Sequence, residues 1–231
     1  MNKKIKTNNN SIRLIFLGDS QTGKTCIIQS LIEEKIVTKC MLLTLGYEKI
    51  GKTCQYDISD NLKIEFKLFI FDTSGLERYK RFILEAFRYN FDGFILIYSV
   101  KNRKSFENIK FIWLDFIESN YEEIHKINNL WIIGNKFDDD INNTVEEVLE
   151  EEGEELAKKY GATFFLFSSK DPYIIKKMNK NIIKKIVDQK NINNDFGRKL
   201  EIVQREIDEI EIEIDNVKKS KFNSRNKFLN Y

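Results

Sequence analysis

A segment near the start of the chain carries the clearest chemical pattern in the sequence. It runs from Gly18 to Thr25, reads GDSQTGKT and matches the pattern G-x-x-x-x-G-K-[ST]. The backbone N–H groups of such a loop, and of the helix N-terminus that follows it, bind phosphate. The Lys24 ammonium would reach the β- and γ-phosphates of a nucleotide, and the Thr25 hydroxyl would bind Mg²⁺. We therefore expect the nucleotide to contact Asp19, Ser20, Gln21, Thr22, Gly23, Lys24, Thr25 and Cys26.

A second segment, Asn135-Lys136-Phe137-Asp138, predicts which base is bound. The Asp138 carboxylate can accept two hydrogen bonds from the N1–H and N2–H₂ donors of guanine. Adenine would leave that carboxylate desolvated and unpaired, which disfavours an ATP-using enzyme. Asn135 can tie this segment to the loop from Gly18 to Thr25, which we call the phosphate loop, and the aliphatic stem of Lys136 can lie along the base. Guanine is the predicted base.

Two further segments follow apolar runs. Asp72-Thr73-Ser74-Gly75 places a carboxylate where it can hold Mg²⁺ through water, and the Gly75 N–H where it can meet a γ-phosphate. The other segment, Ser168-Ser169-Lys170, can offer backbone N–H groups to guanine O6 and a second lysine stem over the ring. Its alternative interpretation is an ordinary turn between a strand and a helix.

The elements that must position these segments follow from hydrophobic periodicity. Apolar or alternating runs predict six strands, over Ile12–Leu17, Gln55–Ile58, Leu62–Phe71, Phe94–Val100, Leu130–Gly134 and Thr163–Phe167. Helical spacing is found over Thr25–Glu33, Ser105–Glu118, Val145–Tyr160 and Tyr173–Asp188. Continuously apolar strands that alternate with helices predict an α/β fold. We expect a six-stranded, mostly parallel sheet with about five helices on both faces, and ligands at the carboxyl ends of its strands.

Length and composition set the outer limits. The 231 residues suffice for one α/β domain and an appendage, and the formal net charge of +2 argues against nucleic-acid binding through bulk charge. No apolar run is long enough to span a membrane, no signal peptide is visible, and three unpatterned cysteines fit a reducing compartment. We expect a cytoplasmic protein, with a polar leader over 1–10, the main domain over 11–190 and a tail over 191–231. Trp113 and Trp131 lie on apolar faces and are expected in the core.

The order of these motifs resembles the small GTPases of the Ras superfamily over residues 11–190, and the Rab family most. The similar segments are Gly18-Asp19-Ser20, the run from Phe71 to Tyr79, and Tyr98-Ser99-Val100 with Ser105-Phe106. The resemblance implies a P-loop NTPase small G domain that binds GTP and GDP with Mg²⁺, hydrolyses GTP, and regulates vesicle traffic or signalling.

The same resemblance implies two switch loops, over residues 38–50 and 72–81, which bind effector and regulator proteins. The resemblance implies that a threonine of the first switch loop reaches Mg²⁺ and the γ-phosphate. Thr44 and Thr38 are the candidates, and we choose Thr44 because only it precedes an apolar residue and a glycine, as in the family pattern T-I-G. The metal-binding residues would be Thr25, Thr44 and Asp72. The positions that serve hydrolysis would be Lys24, Thr44, Gly75 and the residue after it.

The chain departs from this family at that last position. Leu76 stands where the family places the glutamine that orients the attacking water. Its isobutyl group can neither donate to nor accept from water, so we expect slow intrinsic hydrolysis and a bias toward the GTP form. The alternatives are hydrolysis supplied by a partner, or a permanently GTP-loaded interaction module. Gln21 stands where the family's loop usually carries a small residue, and it crowds the γ-phosphate, crowds a helper protein's arginine, or points to solvent.

The tail carries two patterns. Apolar residues in an a/d-like spacing occupy Leu200, Val203, Ile207, Ile210, Ile214 and Val217. They predict either a coiled-coil seam that joins a partner or a second copy through 200–217, or one amphipathic helix packed on the domain. Basic and aromatic residues over 218–229 either adsorb weakly to anionic lipid or form a solvated tail. The C-terminal residues include no cysteine, so we expect peripheral membrane contact, if any, without a prenyl anchor.

Overall fold

The computed structural model describes residues 3–37, 44–59, 62–76, 79–121, 129–136, 148–168, 171 and 173–193. Of these, only the backbone is described for 3–10, 56–59, 62–64, 136 and 191–193. The tail patterns over 200–217 and 218–229 lie outside the described residues.

Six strands form one sheet, as the sequence predicts. They are β1 (Lys3–Leu17), β2 (Tyr47–Ser59), β3 (Leu62–Thr73), β4 (Gly93–Ser99), β5 (Leu130–Lys136) and β6 (Thr163–Ser168). Their order is β2-β3-β1-β4-β5-β6, and only the β2–β3 pair is antiparallel. The carboxyl ends of β1, β3, β4, β5 and β6 therefore share one edge of the sheet, and Asp72 and Asn135 lie at the ends of β3 and β5 there.

Along the chain, helices follow β1, β3, β4, β5 and β6. They are α1 (Lys24–Glu33), α2 (Lys80–Ala86), α3 (Arg103–Asn108), α4 (Asp115–Asn120), α5 (Glu150–Lys159) and α6 (Ile174–Asn193). A π-helical segment, Ile109–Leu114, joins α3 to α4 without a break, so these three form one helical run. No helix in the described part of the chain has both the length and the apolar character that crossing a membrane requires.

Both faces of the sheet are buried at the central strand β1. Successive residues of a strand point to opposite faces, and Leu14, Ile15, Phe16 and Leu17 of β1 are each at most 2% exposed. On one face, Ile15 and Leu17 belong to a core cluster with Trp113 of the π-helical segment. Trp131 is also fully buried, so the prediction that both tryptophans lie in the core is confirmed.

The boundaries of several elements differ from those expected. β1 begins at Lys3 instead of Ile12, because the backbone of Lys3–Lys6 pairs with β3 across a break in register before Ser11. Most of the segment expected as a polar leader is therefore strand. β2 begins at Tyr47 instead of Gln55, because it pairs with β3 as far as Thr73. Backbone pairing extends each strand beyond its apolar residues. Hydrophobic periodicity cannot detect this extension, because it reports only side-chain burial.

Three helices also differ from expectation. α2 falls partly in the segment expected as a switch loop, and its short apolar face is Ile83 and Ala86, both fully buried. α5 begins at Glu150, later than the expected Val145, while residues 145–147 lie outside the described residues. α6 continues through Asn193, so the break expected at 191 is not where the helix ends. The chain divides into two units within α6, after Ile186.

Candidate functional site

The phosphate loop joins the end of β1 to the start of α1. Gly23 adopts a φ of 89°, a left-handed conformation that favours glycine, and directly precedes the helix. Thr22 is buried and its hydroxyl donates to the Asp19 carbonyl at 3.0 Å. Gln21 has a φ of 63° and is exposed to solvent. Thus the loop curls around its own backbone carbonyls, and the first helical N–H groups follow it directly.

Lys24 brings a positive charge into the interior of this loop. Its Nζ donates to the carbonyls of Gly18 at 2.9 Å and Asp19 at 2.7 Å, and the residue is only 6% exposed. Burial lowers the pKa of Lys24 to about 8, while the carboxylates of Asp72 and Asp19 act in the opposite direction. A bound phosphate would stabilise the ammonium that burial destabilises, so this position suits an anion.

Two hydroxyl groups and one carboxylate meet beside the loop. Asp72 Oδ2 accepts from Thr25 Oγ1 at 2.7 Å and from Thr44 Oγ1 at 3.0 Å, and the two hydroxyl oxygens lie 3.3 Å apart. Asp72 is 1% exposed, and its Oδ1 has no hydrogen-bond partner among the described residues. Hydroxyl and carboxylate oxygens are the ligands that Mg²⁺ prefers, so these three residues fit that ion.

Thr44 thus lies beside Asp72, while the other candidate threonine, Thr38, lies outside the described residues. The carbonyl of Gly46, two residues later, accepts from the Ser74 N–H at 2.7 Å. This bond joins the two segments that the family resemblance implies are switch loops.

Gly75 packs directly on the phosphate loop. Its carbonyl accepts from the Ser20 N–H at 3.2 Å, and a Cβ at this position would collide with the backbone of Ser20 and Asp19. Only glycine permits this approach. Leu76 follows, partly buried, with its N–H donating to the Ser74 hydroxyl at 3.3 Å. Its side chain brings no polar group to the end of the loop.

The residues expected to recognise the base are only partly within the described chain. Asn135, at the end of β5, is buried, and its Nδ2 donates to the Thr22 carbonyl at 2.7 Å. The structure thereby brings Asn135 to the phosphate loop. Ser168 ends β6, beside Lys136 at the end of β5. The side chain of Lys136, and all of Asp138, Ser169 and Lys170, lie outside the described residues. Cys26, in the first turn of α1, is a partly buried free thiol.

Two residues that the sequence analysis did not assign to the site contact the phosphate loop. The indole Nε1–H of Trp113 donates to Asp19 Oδ1 at 2.8 Å, and Asn108 Nδ2 donates to Asp19 Oδ2 at 2.6 Å. Their separation of five residues does not place them on one face of a regular α-helix, so periodicity gave no signal. The available clue is that the indole N–H of a buried tryptophan needs a hydrogen-bond acceptor, even in an apolar core.

Comparisons with known proteins agree with this geometry. Residues 13–188 match the Ras family. The chain is 32% identical to the Ras-related protein Rab-8B of Homo sapiens over 197 residues, which are 83% of this chain and 88% of that protein. It is 30% identical over 192 residues to the Ras-related protein SEC4 of Candida albicans, covering 80% and 81% of the two chains. With Rab-26 of Rattus norvegicus the identity is 32% over 69% of this chain and 57% of that protein. The chain therefore belongs to the Ras family of small GTPases and is similar to its Rab members.

Proposed function

We propose that this protein is a guanine-nucleotide switch that binds GTP and GDP with Mg²⁺ and hydrolyses GTP slowly. The observation that carries the proposal is the meeting of Lys24 and Thr25 with Thr44 and Asp72 at one edge of the sheet, beside a loop that leads into the N-terminus of α1. Guanine selectivity rests on the expected role of Asp138, and Asn135 supports it by linking β5 to the phosphate loop.

The chain's own residues divide the work on the triphosphate. Lys24 would hold the β- and γ-phosphates, and the Gly75 N–H would bind a γ-phosphate oxygen, while water attacks the γ-phosphate in line with the leaving oxygen. Thr25, Thr44 and Asp72 would hold Mg²⁺, which when bound neutralises charge on the phosphates. Thr44 then has different contacts with and without the γ-phosphate, so its loop can report the nucleotide state.

Leu76 is the residue that makes hydrolysis slow. Orientation of the attacking water contributes in the transition state, and an isobutyl group cannot provide it. Single-turnover hydrolysis by wild type and Leu76→Gln, both loaded with GTP, tests this directly. We expect the variant to be at least about tenfold faster, since a positioned polar group contributes about 10²-fold or more in favourable cases. Equal rates would contradict the role assigned to Leu76.

A second candidate function is a hydrolysis-deficient module that remains GTP-bound, and Leu76 is again the observation that favours it. The nucleotide retained by the purified protein separates the two. GDP recovered after denaturation means that hydrolysis proceeds without the usual glutamine, whereas GTP supports the permanently loaded module. Recovery of an adenine nucleotide, or of none after loading with GTP and Mg²⁺, would contradict both.

Partners would bind the switch segments. Leu45 is 68% exposed and Phe82 is 50% exposed, and Phe82 packs against Gly46, the residue that follows Leu45, where an added Cβ would lie 3.4 Å from Phe82 Cβ. These exposed apolar side chains suit effector and regulator proteins in vesicle-traffic-like regulation. Self-association through 200–217 and weak contact of 218–229 with anionic membranes remain proposals from the sequence.

A further inference from the structure

Asp19 presents a problem that the phosphate chemistry does not explain. A carboxylate in a loop that receives a polyanion would repel it unless the carboxylate is directed elsewhere and its charge is satisfied. Both carboxylate oxygens of Asp19 accept hydrogen bonds from side chains of the helical run formed by α3, the π-helical segment and α4. Trp113 Nε1–H donates to Oδ1 at 2.8 Å, and Asn108 Nδ2 donates to Oδ2 at 2.6 Å.

The π-helical segment explains how one helix supplies both donors. Asn108 and Trp113 are five residues apart, and in a regular α-helix they would lie about 140° apart around the axis. In a π turn, residues i and i+5 are hydrogen-bonded neighbours, so they come close to the same side. The π segment covers Ile109–Leu114, the residues that follow Asn108 and include Trp113. One carboxylate can therefore receive both side chains.

The backbone of Asp19 is held as firmly as its side chain. Its carbonyl accepts from Lys24 Nζ at 2.7 Å and from the Thr22 hydroxyl at 3.0 Å. Gly75 packs against the same peptide unit. The helical run thus holds one side of the loop, while the residues expected to bind phosphate hold the other.

We infer that Asn108 and Trp113 are positioning residues that clamp the phosphate loop through Asp19, so that the loop is pre-formed before nucleotide binds. This inference rests on the proposed nucleotide binding, because its effect is expressed as affinity. The clamp engages both carboxylate oxygens of Asp19. It also couples the loop to the interior of the domain, since Trp113 is 1% exposed and packs in the core cluster.

The chain offers a matched control for the test. Trp131 is also fully buried, and its Nε1–H also donates to a side-chain oxygen, Asn181 Oδ1, at 3.0 Å. Trp113→Phe and Trp131→Phe therefore remove the same atoms from similar surroundings, but only the first substitution acts on the phosphate loop. The full-length protein is titrated with GDP and Mg²⁺ in wild type, both tryptophan variants, Asn108→Leu, Asp19→Ala and the double variant Asn108→Leu/Asp19→Ala.

We expect Trp113→Phe and Asn108→Leu each to weaken GDP binding about tenfold to hundredfold, because each leaves a charged acceptor short of one donor. Trp131→Phe should change it less than about twofold. In the double variant Asn108→Leu/Asp19→Ala, the combined loss should be smaller than the product of the two single losses, since the acceptor and its donor are removed together. Equal losses for both tryptophan variants, or multiplicative losses in the double variant, would overturn the clamp. Because Asn108 is only partly buried, its variant keeps the test available should Trp113→Phe not fold.

A readout without nucleotide separates this inference from the proposed function. In the nucleotide-free protein, Asp19→Ala should shift the indole N–H proton resonance of Trp113 and leave that of Trp131 in place. Amide hydrogen exchange over residues 20–24 should quicken in Trp113→Phe and not in Trp131→Phe. Wild type that fails to bind GDP while these signals behave as expected would remove the proposed function and leave the clamp standing. Unchanged signals would refute the clamp.

Discussion

The burial of Lys24 makes the stability of the nucleotide-free protein depend on pH in a predictable direction. Burial lowers the pKa of Lys24 from 10.5 to about 8 in the folded chain, with Asp72 and Asp19 offsetting part of the effect. The unfolded chain has the ordinary value, so between pH 8 and 10.5 it binds more protons than the folded chain. The free energy of unfolding therefore rises with pH in this window, and the gain is lost as pH falls through 8.

The size of the effect follows from the two pKa values. Their difference (10.5 − 8) corresponds to about 3 kcal/mol over the whole window, at about 1.4 kcal/mol for each pH unit. Integrated between pH 7.5 and 9.5, where the protein can be handled, the Lys24 contribution changes by about 2 kcal/mol. This is a large fraction of the stability of an ordinary domain, which is about 5–15 kcal/mol.

Urea unfolding of the nucleotide-free protein at pH 7.5, 8.5 and 9.5 measures this contribution. Other groups also titrate in this range, so the quantity of interest is the wild-type curve minus that of Lys24→Met, which keeps a chain of similar length without the charge. The difference should rise by about 2 kcal/mol toward pH 9.5. The same subtraction for the exposed Lys176→Met controls for a general effect of removing a lysine.

Two outcomes bear on the reasoning. Parallel curves for wild type and Lys24→Met would refute it, because the ammonium would then be as well solvated in the folded chain as in the unfolded one. With GDP and Mg²⁺ bound, phosphate oxygens would stabilise the Lys24 ammonium and keep it protonated. We therefore expect the pH dependence of the difference to disappear in the loaded protein.

Three further predictions concern other contacts of the domain. Gly75→Ala should lower the free energy of unfolding by about 1–3 kcal/mol in urea, because its Cβ meets the backbone of the phosphate loop, whereas in Gly51→Ala the Cβ meets only the Phe69 ring, at 3.3 Å. An equal effect of the two alanines would contradict the close packing of Gly75. Asn135→Leu should speed GDP dissociation about tenfold or more, since the buried Thr22 carbonyl loses its donor; an unchanged rate would mean that this link does not hold the loop. Glu152 accepts from Arg103 at 2.5 and 2.9 Å, and this contact lowers the pKa of its carboxyl to about 2. The stabilisation from this ion pair is present above pH 4.5 and lost as pH falls toward 2. Because both side chains are more than a third exposed, we expect Glu152→Gln to cost no more than about 1 kcal/mol at pH 7 and nothing near pH 2. Thermal unfolding at the two pH values measures this cost.

Much of the site could be predicted because its chemistry is local in the sequence. The loop from Gly18 to Thr25 is one contiguous segment between a strand and a helix, so neighbouring residues alone predict its phosphate contacts. Asp72 and Asn135 were predictable for a related reason: each ends an apolar run, and parallel strands bring their carboxyl ends to one edge of the sheet. The presence of six strands and the core positions of Trp113 and Trp131 could also be predicted from the apolar pattern of the sequence.

What could not be predicted depends on contacts between distant segments. Strand β1 reaches back to Lys3, and β2 starts at Tyr47, because each pairs with β3, and backbone pairing leaves no mark in side-chain periodicity. Hydrophobic periodicity does not predict the short helix α2, because only two of its residues are buried. Hydrophobic periodicity registers burial, and these features depend on other interactions.

The sequence by itself determined which chemical groups are available at the proposed nucleotide site, because the lysine, the threonines and the carboxylate at a strand end are residue types in the chain. Only the tertiary structure decided how those groups are held. It placed the Thr44 hydroxyl on Asp72, pressed Gly75 against the loop, and turned Asp19 toward Asn108 and Trp113. The physical reason is that each of these contacts joins segments far apart in the chain, and a hydrogen bond forms only when folding brings its two atoms within about 3 Å of each other.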